Sequence, residues 1–426
     1  MQLAFIVSIT LQSAAAQSPD NLVKDAKGTA APFKSAVLVP KKIEVKLTDL
    51  PKPYASESAR NSAGIVKRPA NAVMNIPEGF TVNIFCENLE RPRWMALAPN
   101  GDIVLAESDK NRIRILRDAN KDGAAEAVYN FDDGLTKPFG LAFKDGYLYV
   151  ANTNSVIRYK YQPGQTRKTA EPETFVAKIS DGSFYNNHWT RNLLFTEKEM
   201  FLSVGSATNA SVEDAPRASV QTIQADGKAI KTFGYGLRNP VGLAVNPVTK
   251  ELWTTVNERD ELGDDLVPDY LTSVKDGGFY GWPYAYLAPE NLDPRHLKGG
   301  KSVRPELVKL TRTPDVLFQS HSAALGLAFY TGDKFPVSYQ GDAFVAMRGS
   351  WNRNEATGYK IVRVPFDKEG KPEGGYEDFL TGFLLDAKKP EAFGRPVGVL
   401  VAADGSLLIA DEIGGVIWRV SYSGKK

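Results

Sequence analysis

One phrase recurs six times along this 426-residue chain, and a chain built that way has few folds open to it. The phrase is a Pro- or Gly-marked corner, a short apolar strand, a turn, a second apolar strand and a polar loop. Its copies start at Arg91 (RPRWMALAPNGDIVLAES), Lys137 (KPFGLAFKDGYLYVANT), Thr190 (TRNLLFTEKEMFLSVGS), Asn239 (NPVGLAVNPVTKELWTTVNE), Ala324 (ALGLAFYTGDKFPVSYQGDAFVAMRGS) and Arg395 (RPVGVLVAADGSLLIADE). Several run on into a third strand with alternating apolar residues, at Ile113–Leu116, Ile157–Tyr161, Ile361–Val364 and Val416–Val420. Strands of this length, Asn-Gly and Asp-Gly turns and almost no helical periodicity predict an all-β chain. Copies that start 46 to 85 residues apart have room for a four-stranded sheet each, so the expected architecture is a six-bladed β-propeller over residues 76–423.

What precedes the repeats reads differently. Residues 1–16 carry an apolar stretch closed by Ala14-Ala15-Ala16, the pattern of a signal peptide cut before Gln17. Residues 17–75, rich in Pro, Lys, Ala and Ser, read as an N-terminal linker or an arm wrapped on the domain. No other apolar run has the length of a membrane span, so the expected location is secreted or periplasmic.

Charge and composition exclude several functions. Fifty-two Lys and Arg against 50 Asp and Glu give a net charge of +2 with no basic tract, which argues against nucleic acid or anionic lipid as a partner. The one cysteine, Cys86, rules out an intrachain disulfide and every multi-cysteine metal or redox motif. With no Cys-x-x-Cys-His, any haem must reside on another chain. Walker, Gly-x-Gly-x-x-Gly, Gly-x-Ser-x-Gly and His-Glu-x-x-His motifs are also missing from the sequence.

Chemistry-bearing residues collect at the strand ends. In a propeller, the loop entering the first strand of a sheet and the loop leaving the second open on one face. The corners Arg91–Arg93, His188–Arg191, Arg238–Pro240 and Arg395–Pro396 should therefore share a face with the exits Ser203–Asn209, Asn257–Asp265, Arg348–Asn352 and Asp411–Gly415. His188 there is a candidate proton acceptor for a substrate hydroxyl, since a neutral imidazole titrates near neutral pH. Arg191, Arg238, Arg348 and Arg395 offer forked donors that would form an anion site if they converge. The crowded acids Glu258, Asp260, Glu261, Asp264 and Asp265 are either a solvated acidic turn or an oxygen-rich site for a hard cation such as calcium. Asp118-Ala-Asn120-Lys-Asp122-Gly123 opens like a calcium loop, but Tyr129 stands where a bidentate glutamate is expected, so a tight turn is the reading there.

The segments HWTRNLLF, GLRNPVGLAV, VNERDELGDDLVPDYL, GGFYGWPY, RGSWNR and FGRPVGV carry a resemblance. From about Ile76 to Tyr422 the chain resembles the glucose/sorbosone dehydrogenase family of pyrroloquinoline quinone (PQQ) enzymes, notably its L-sorbosone dehydrogenase-like branch and the related pyranose dehydrogenases. The resemblance implies a PQQ- and calcium-dependent oxidoreductase that oxidises a sugar or sugar-aldehyde hydroxyl and passes electrons to an external quinone or cytochrome. It matches His188 to the base, Arg238 and Asn239 to the pair that contacts the quinone oxygens, and Asn257 to a polar neighbour of the cofactor. Arg395 matches a cofactor carboxylate partner, and the backbone carbonyls of Glu258 and Arg259 match calcium ligands, with Asp264 and Asp265 as further candidates. Arg348 stands where relatives carry lysine or histidine, and Ser206 where glucose-oxidising members carry an aspartate near the histidine. Two alternatives from other classes are a calcium-dependent lactone hydrolase and a propeller that binds without catalysing.

Overall fold

The computed structural model describes residues 21–179, 188–224 and 226–424, so the expected signal peptide at residues 1–16 lies outside the described residues. The chain is all-β. Its longest α-helix among the described residues is the four-residue turn Pro305–Val308.

Six sheets of four or five strands carry the fold, with three smaller sheets beside them. Each large sheet begins with the first strand of one repeat: Trp94–Leu97, Leu141–Lys144, Leu193–Phe195, Pro240–Val245, Ala324–Phe329 and Pro396–Val401. Each first strand pairs antiparallel with the second strand of its own repeat. The sixth sheet is completed from the other end of the chain, where Phe80–Glu87 pairs antiparallel with Val416–Tyr422.

Neighbouring sheets share a core all the way round. Tyr159 and Phe139 pack with Trp94 and Ile115 between the first and second sheets, and Leu202 packs with Val150's neighbours Tyr149 and Ala151 between the second and third. Phe201 meets Leu243 and Val256, then Trp253 meets Phe329 and Val345, then Phe344 and Phe379 meet Trp418 and Val420. Leu105 and Leu116 against Leu408 and Ile417 return the circuit from the sixth sheet to the first. Strands buried on both faces in this way read as continuous apolar runs, which is why Leu252–Val256 and Ala343–Met347 show no polar alternation.

The glycine of the repeated phrase explains how tightly neighbouring first strands approach one another. A Cβ on Gly242 would sit 2.5 Å from the Leu325 carbonyl oxygen, one on Gly326 2.4 Å from that of Val397, and one on Gly398 2.3 Å from that of Arg93. Each glycine therefore lets one first strand lie directly against the backbone of the next. This is a close-approach requirement, since Gly242, Gly326 and Gly398 all lack positive φ.

Residues 21–75 add strands at the periphery. Lys27–Pro32 extends the sixth sheet beside Phe80–Glu87, and Lys42–Ile43 extends the fifth beside Tyr376–Leu380. Further on, the backbone N–H of Tyr54 donates to Leu262 and that of Asn61 to Trp351, so the segment crosses the face that carries the acidic loop.

Replacing Gly326 by Ala should cost about 1–3 kcal/mol of unfolding free energy, because the atoms in the way are backbone and cannot rotate aside. Urea denaturation checks it. An unchanged midpoint would mean that the first strands are not held in backbone contact.

Candidate active site

The fourth repeat shows how the fold builds the site. Pro240 pairs with Val256 at one end of its hairpin, and the Asn257 N–H donates to the Asn239 carbonyl at 3.1 Å. Arg238, Asn239 and the acidic exit thus meet at one rim. Equivalent backbone bonds tie Arg93 to Ala106, Arg348 to Ala323 and Glu412 to Arg395. His188, Arg238, Asn239, Asn257, Glu258 and Arg348 all line one cavity of about 600 Å³ at this rim.

His188 occupies a left-handed conformation, φ 47°, which is costly for a residue with a side chain and marks a constrained position. Its Nδ1 faces the Ser206 carbonyl at 2.9 Å and the Ser206 hydroxyl at 3.0 Å, while that hydroxyl donates to the Thr208 carbonyl. A carbonyl only accepts, so Nδ1 carries the proton and Nε2 keeps its lone pair. Burial, then the charges of Arg238, Arg191 and Arg217, hold the imidazole well below its usual pKa, against the bond to Ser206. The result is a neutral histidine with one acceptor nitrogen. Gly205 makes room for it, since a Cβ there would lie 2.6 Å from the His188 Cβ and 2.4 Å from Asn239 Oδ1.

One half of the cavity is cationic. Glu412, 3% exposed, is gripped by Arg91 at 3.2 Å, Arg93 at 2.8 Å and Arg348 at 2.5 Å. Burial alone would raise its pKa, but the charges of Arg93, Arg348 and Arg395 outweigh that and hold the carboxyl far below its ordinary range. Arg93 Nε has no hydrogen-bond partner, and its guanidinium lies 5.0 Å from the Trp189 ring, which also lines the cavity. Lys137 covers the same ring at 5.2 Å.

The other half is acidic. Glu258 and Asp269 line it, both buried, and burial pushes each carboxyl up to about 7. Asp269 accepts the N–H groups of Glu258 and Ala323, whereas Glu258 Oε1 has no hydrogen-bond partner. Asp260 accepts from Asn352 at 2.6 Å and from Arg238 at 2.9 Å. His321 Nε2 donates to the Gly263 carbonyl, and its Nδ1 accepts from Asn352, so that histidine braces the Asp260 network.

Five expected site residues have side chains engaged elsewhere. Arg191 is fully buried behind the wall, donating to the carbonyls of His188 and Thr190, and burial pushes it down to about 9. Arg395 props the Arg348–Gly349 backbone from beneath through two bonds, to Arg348 O at 3.1 Å and Gly349 O at 2.8 Å. The Arg259 side chain is paired with Asp293 and with the Asp260 carbonyl. Asp265 pairs with Arg353, and Asp264 accepts from the Asn354 N–H. Asp264 and Asp265 are therefore engaged by the loop at 353–354, and among the described residues no group of three or more His, Cys, Asp or Glu side chains is placed to hold a metal. Sequence reasoning did not single out Glu412, Asp269, Trp189 or Asn209, whose roles come from partners distant along the chain.

Comparison with known proteins bears on this arrangement. The TrAA12-like family profile matches residues 74–270 and 306–423. An uncharacterised protein of Borreliella burgdorferi is 27% identical over 374 residues, covering 85% of this chain and 94% of its own. The pyrroloquinoline quinone-dependent pyranose dehydrogenase of Coprinopsis cinerea is 24% identical over 409 residues, covering 82% of this chain and 54% of that protein, so the chain spans about half of it. The solved holo form of that enzyme's PQQ domain shares the fold, with a TM-score of 0.69, 21% identity, and coverage of 85% of this chain and 99% of the domain.

Glu412→Gln should lower stability by about 3–5 kcal/mol at pH 7, because it leaves buried Arg93 without its counter-charge. Glu412 titrates lower folded than unfolded, so its contribution is complete above the unfolded pKa and fades as pH falls. The gap between wild type and variant should be full above about pH 4.5 and narrow progressively as pH falls below it in urea titrations. A gap that is constant with pH would contradict the assignment.

Proposed function

The chain belongs to the TrAA12-like family, and we propose that it is a PQQ-dependent dehydrogenase that oxidises a hydroxyl of a sugar or hydrated sugar aldehyde. We further read the six large sheets as the six blades of one propeller over residues 76–423, with the cavity as its bowl. The observation that carries the proposal is a neutral His188 with a free Nε2, set in a cavity divided into cationic and acidic halves.

The residues present fit an anionic, planar cofactor. PQQ bears carboxylates and quinone oxygens, and the cationic half offers Arg91, Arg93 and Arg348 on the wall, with an unpartnered donor at Arg93 Nε. Arg395 would act through the Arg348 backbone. When bound, the quinone supplies a two-electron acceptor for hydride.

The chain's own part is binding and proton transfer. His188 Nε2 would take the proton of the sugar hydroxyl as the C–H bond gives up hydride, and the Nδ1–H bond to Ser206 fixes the tautomer that can do so. Ser206 offers a hydroxyl and a carbonyl where a carboxylate would make the imidazole more basic. The positive charge of Arg238 on the wall favours negative charge developing nearby. Trp189, half-buried beside the base, supplies an aromatic face for the apolar side of a sugar ring.

Three of the four donors expected for a calcium ion already have partners. The Glu258 carbonyl accepts from Arg238 at 2.5 Å, and Asp264 and Asp265 are committed to the loop at 353–354. Electrons would leave to an external quinone or cytochrome. Among the described residues no helix is long and apolar enough to cross a membrane, and an exported location rests on the sequence of residues 1–17.

A second reading, a lactone hydrolase, draws on Glu258 and Asp269, two buried carboxyls that titrate near neutrality. It requires lactone hydrolysis without PQQ.

The test is reconstitution. Cofactor-free protein titrated with PQQ should bind it and reduce a dye when given an aldose, and His188→Ala should lose about 10²–10⁴-fold in kcat while still binding PQQ. Because His188 acts unprotonated and its pKa lies under 6.5, kcat/KM should be flat at neutral pH and fall only on the acid side. Failure to bind PQQ at micromolar concentration would sink the reading, as would full activity in His188→Ala.

A further inference from the structure

Arg238 is held by five oxygens. Its Nε donates to the Asn209 carbonyl at 3.0 Å, its Nη1 to the carbonyls of Glu258 at 2.5 Å and Asn257 at 3.4 Å, and its Nη2 to Asn209 Oδ1 at 3.0 Å and Asp260 Oδ2 at 2.9 Å. A guanidinium has five N–H donors, and here each one has an acceptor. The side chain is 5% exposed.

The acceptors are of one kind. Three backbone carbonyls, one amide oxygen and one carboxylate oxygen make the hard, oxygen-only environment that calcium takes from loops. The cage is also braced from outside. Asn209 Oδ1 accepts the Asp260 N–H, Asn352 holds the other Asp260 oxygen, and Trp282 Nε1 donates to the Asn209 carbonyl. Nothing in it waits for a ligand, because the cation is part of the chain.

We propose that Arg238 is the built-in cation of this cage, so that the wild-type bowl binds no divalent metal there and removing the guanidinium creates a calcium site. A metal seated inside this cage requires Arg238 to leave all five partners. A guanidinium also fits better on charge. Asp260 is the one carboxylate among the five acceptors, and a single positive charge balances it. Arg238 then acts in the bowl through its charge and has no free N–H to offer.

This inference stands on the cage whether or not PQQ is the cofactor. Failure of the cofactor reading would appear in a PQQ titration, and failure of this one in a calcium titration of cofactor-free protein.

The experiment is calcium titration by calorimetry, with the melting temperature followed in parallel, on wild type, Arg238→Ala, Arg238→Gln and each variant combined with Asp260→Asn. Wild type should show no calcium binding that Asp260→Asn removes, up to about 1 mM. Arg238→Ala should bind calcium with a dissociation constant of about 10⁻⁴–10⁻³ M, the range of weak extracellular sites, and melt higher with calcium. The added Asp260→Asn change should abolish both effects, and guanidinium ion should compete with calcium for the variant. If Arg238→Ala does not accumulate as folded protein, Arg238→Gln carries the same comparison. Two results overturn the proposal: calcium binding by wild type that Asp260→Asn abolishes, or folded Arg238 variants that gain no calcium binding.

Discussion

The backbone-to-backbone contact between first strands, made possible by Gly242, Gly326 and Gly398, is what the rest of the molecule depends on. It brings the first strands of the fourth, fifth, sixth and first sheets close enough that corners from different sheets face one cavity. Arg93, His188, Arg238, Arg348 and Glu412 come from five different repeats and meet only because of that spacing. The apolar cores between neighbouring sheets hold the ring, and the strand Phe80–Glu87 ties its two ends.

Within the cavity, charge is segregated before any ligand arrives. Three arginines share Glu412 on one side, and one arginine fills an oxygen cage on the other. His188 lies among positive charges, which keep it neutral, and its bond to Ser206 decides which nitrogen is free. A base set up this way is weak but always available at neutral pH. That suits removal of a hydroxyl proton coupled to hydride departure, where the base need not generate a free alkoxide.

Much of this was legible in the sequence, for a physical reason. Strand alternation, corner residues and the repeated glycine are local signals, and they predicted the strands and the shared face. Arg238, Asn239, Asn257, Arg348 and His188 were placed on that face from their positions at strand ends alone. What the sequence did not reveal depends on partners far apart along the chain. Asp264 and Asp265 looked like metal ligands by composition, but Arg353 and Asn354, nearly ninety residues on, engage them. Arg191 and Arg395 sit at corners like the other arginines, yet their side chains turn inward to backbone carbonyls. The saturation of Arg238 needs Asn209 and Asp260 together, and no spacing rule joins residues from two different strand exits.

The protonation state of His188 decides whether it can act as the base, and because the chain has three histidines, nitrogen-15 NMR of labelled imidazoles reads it directly. His296 and His321 each present Nε2 to a backbone carbonyl and should show protonated Nε2. The signal that disappears in His188→Ala should belong to a neutral ring protonated at Nδ1, unchanged from pH 8 down to below 6.5. A His188 ring protonated at Nε2, or carrying both protons at pH 7, would contradict the account.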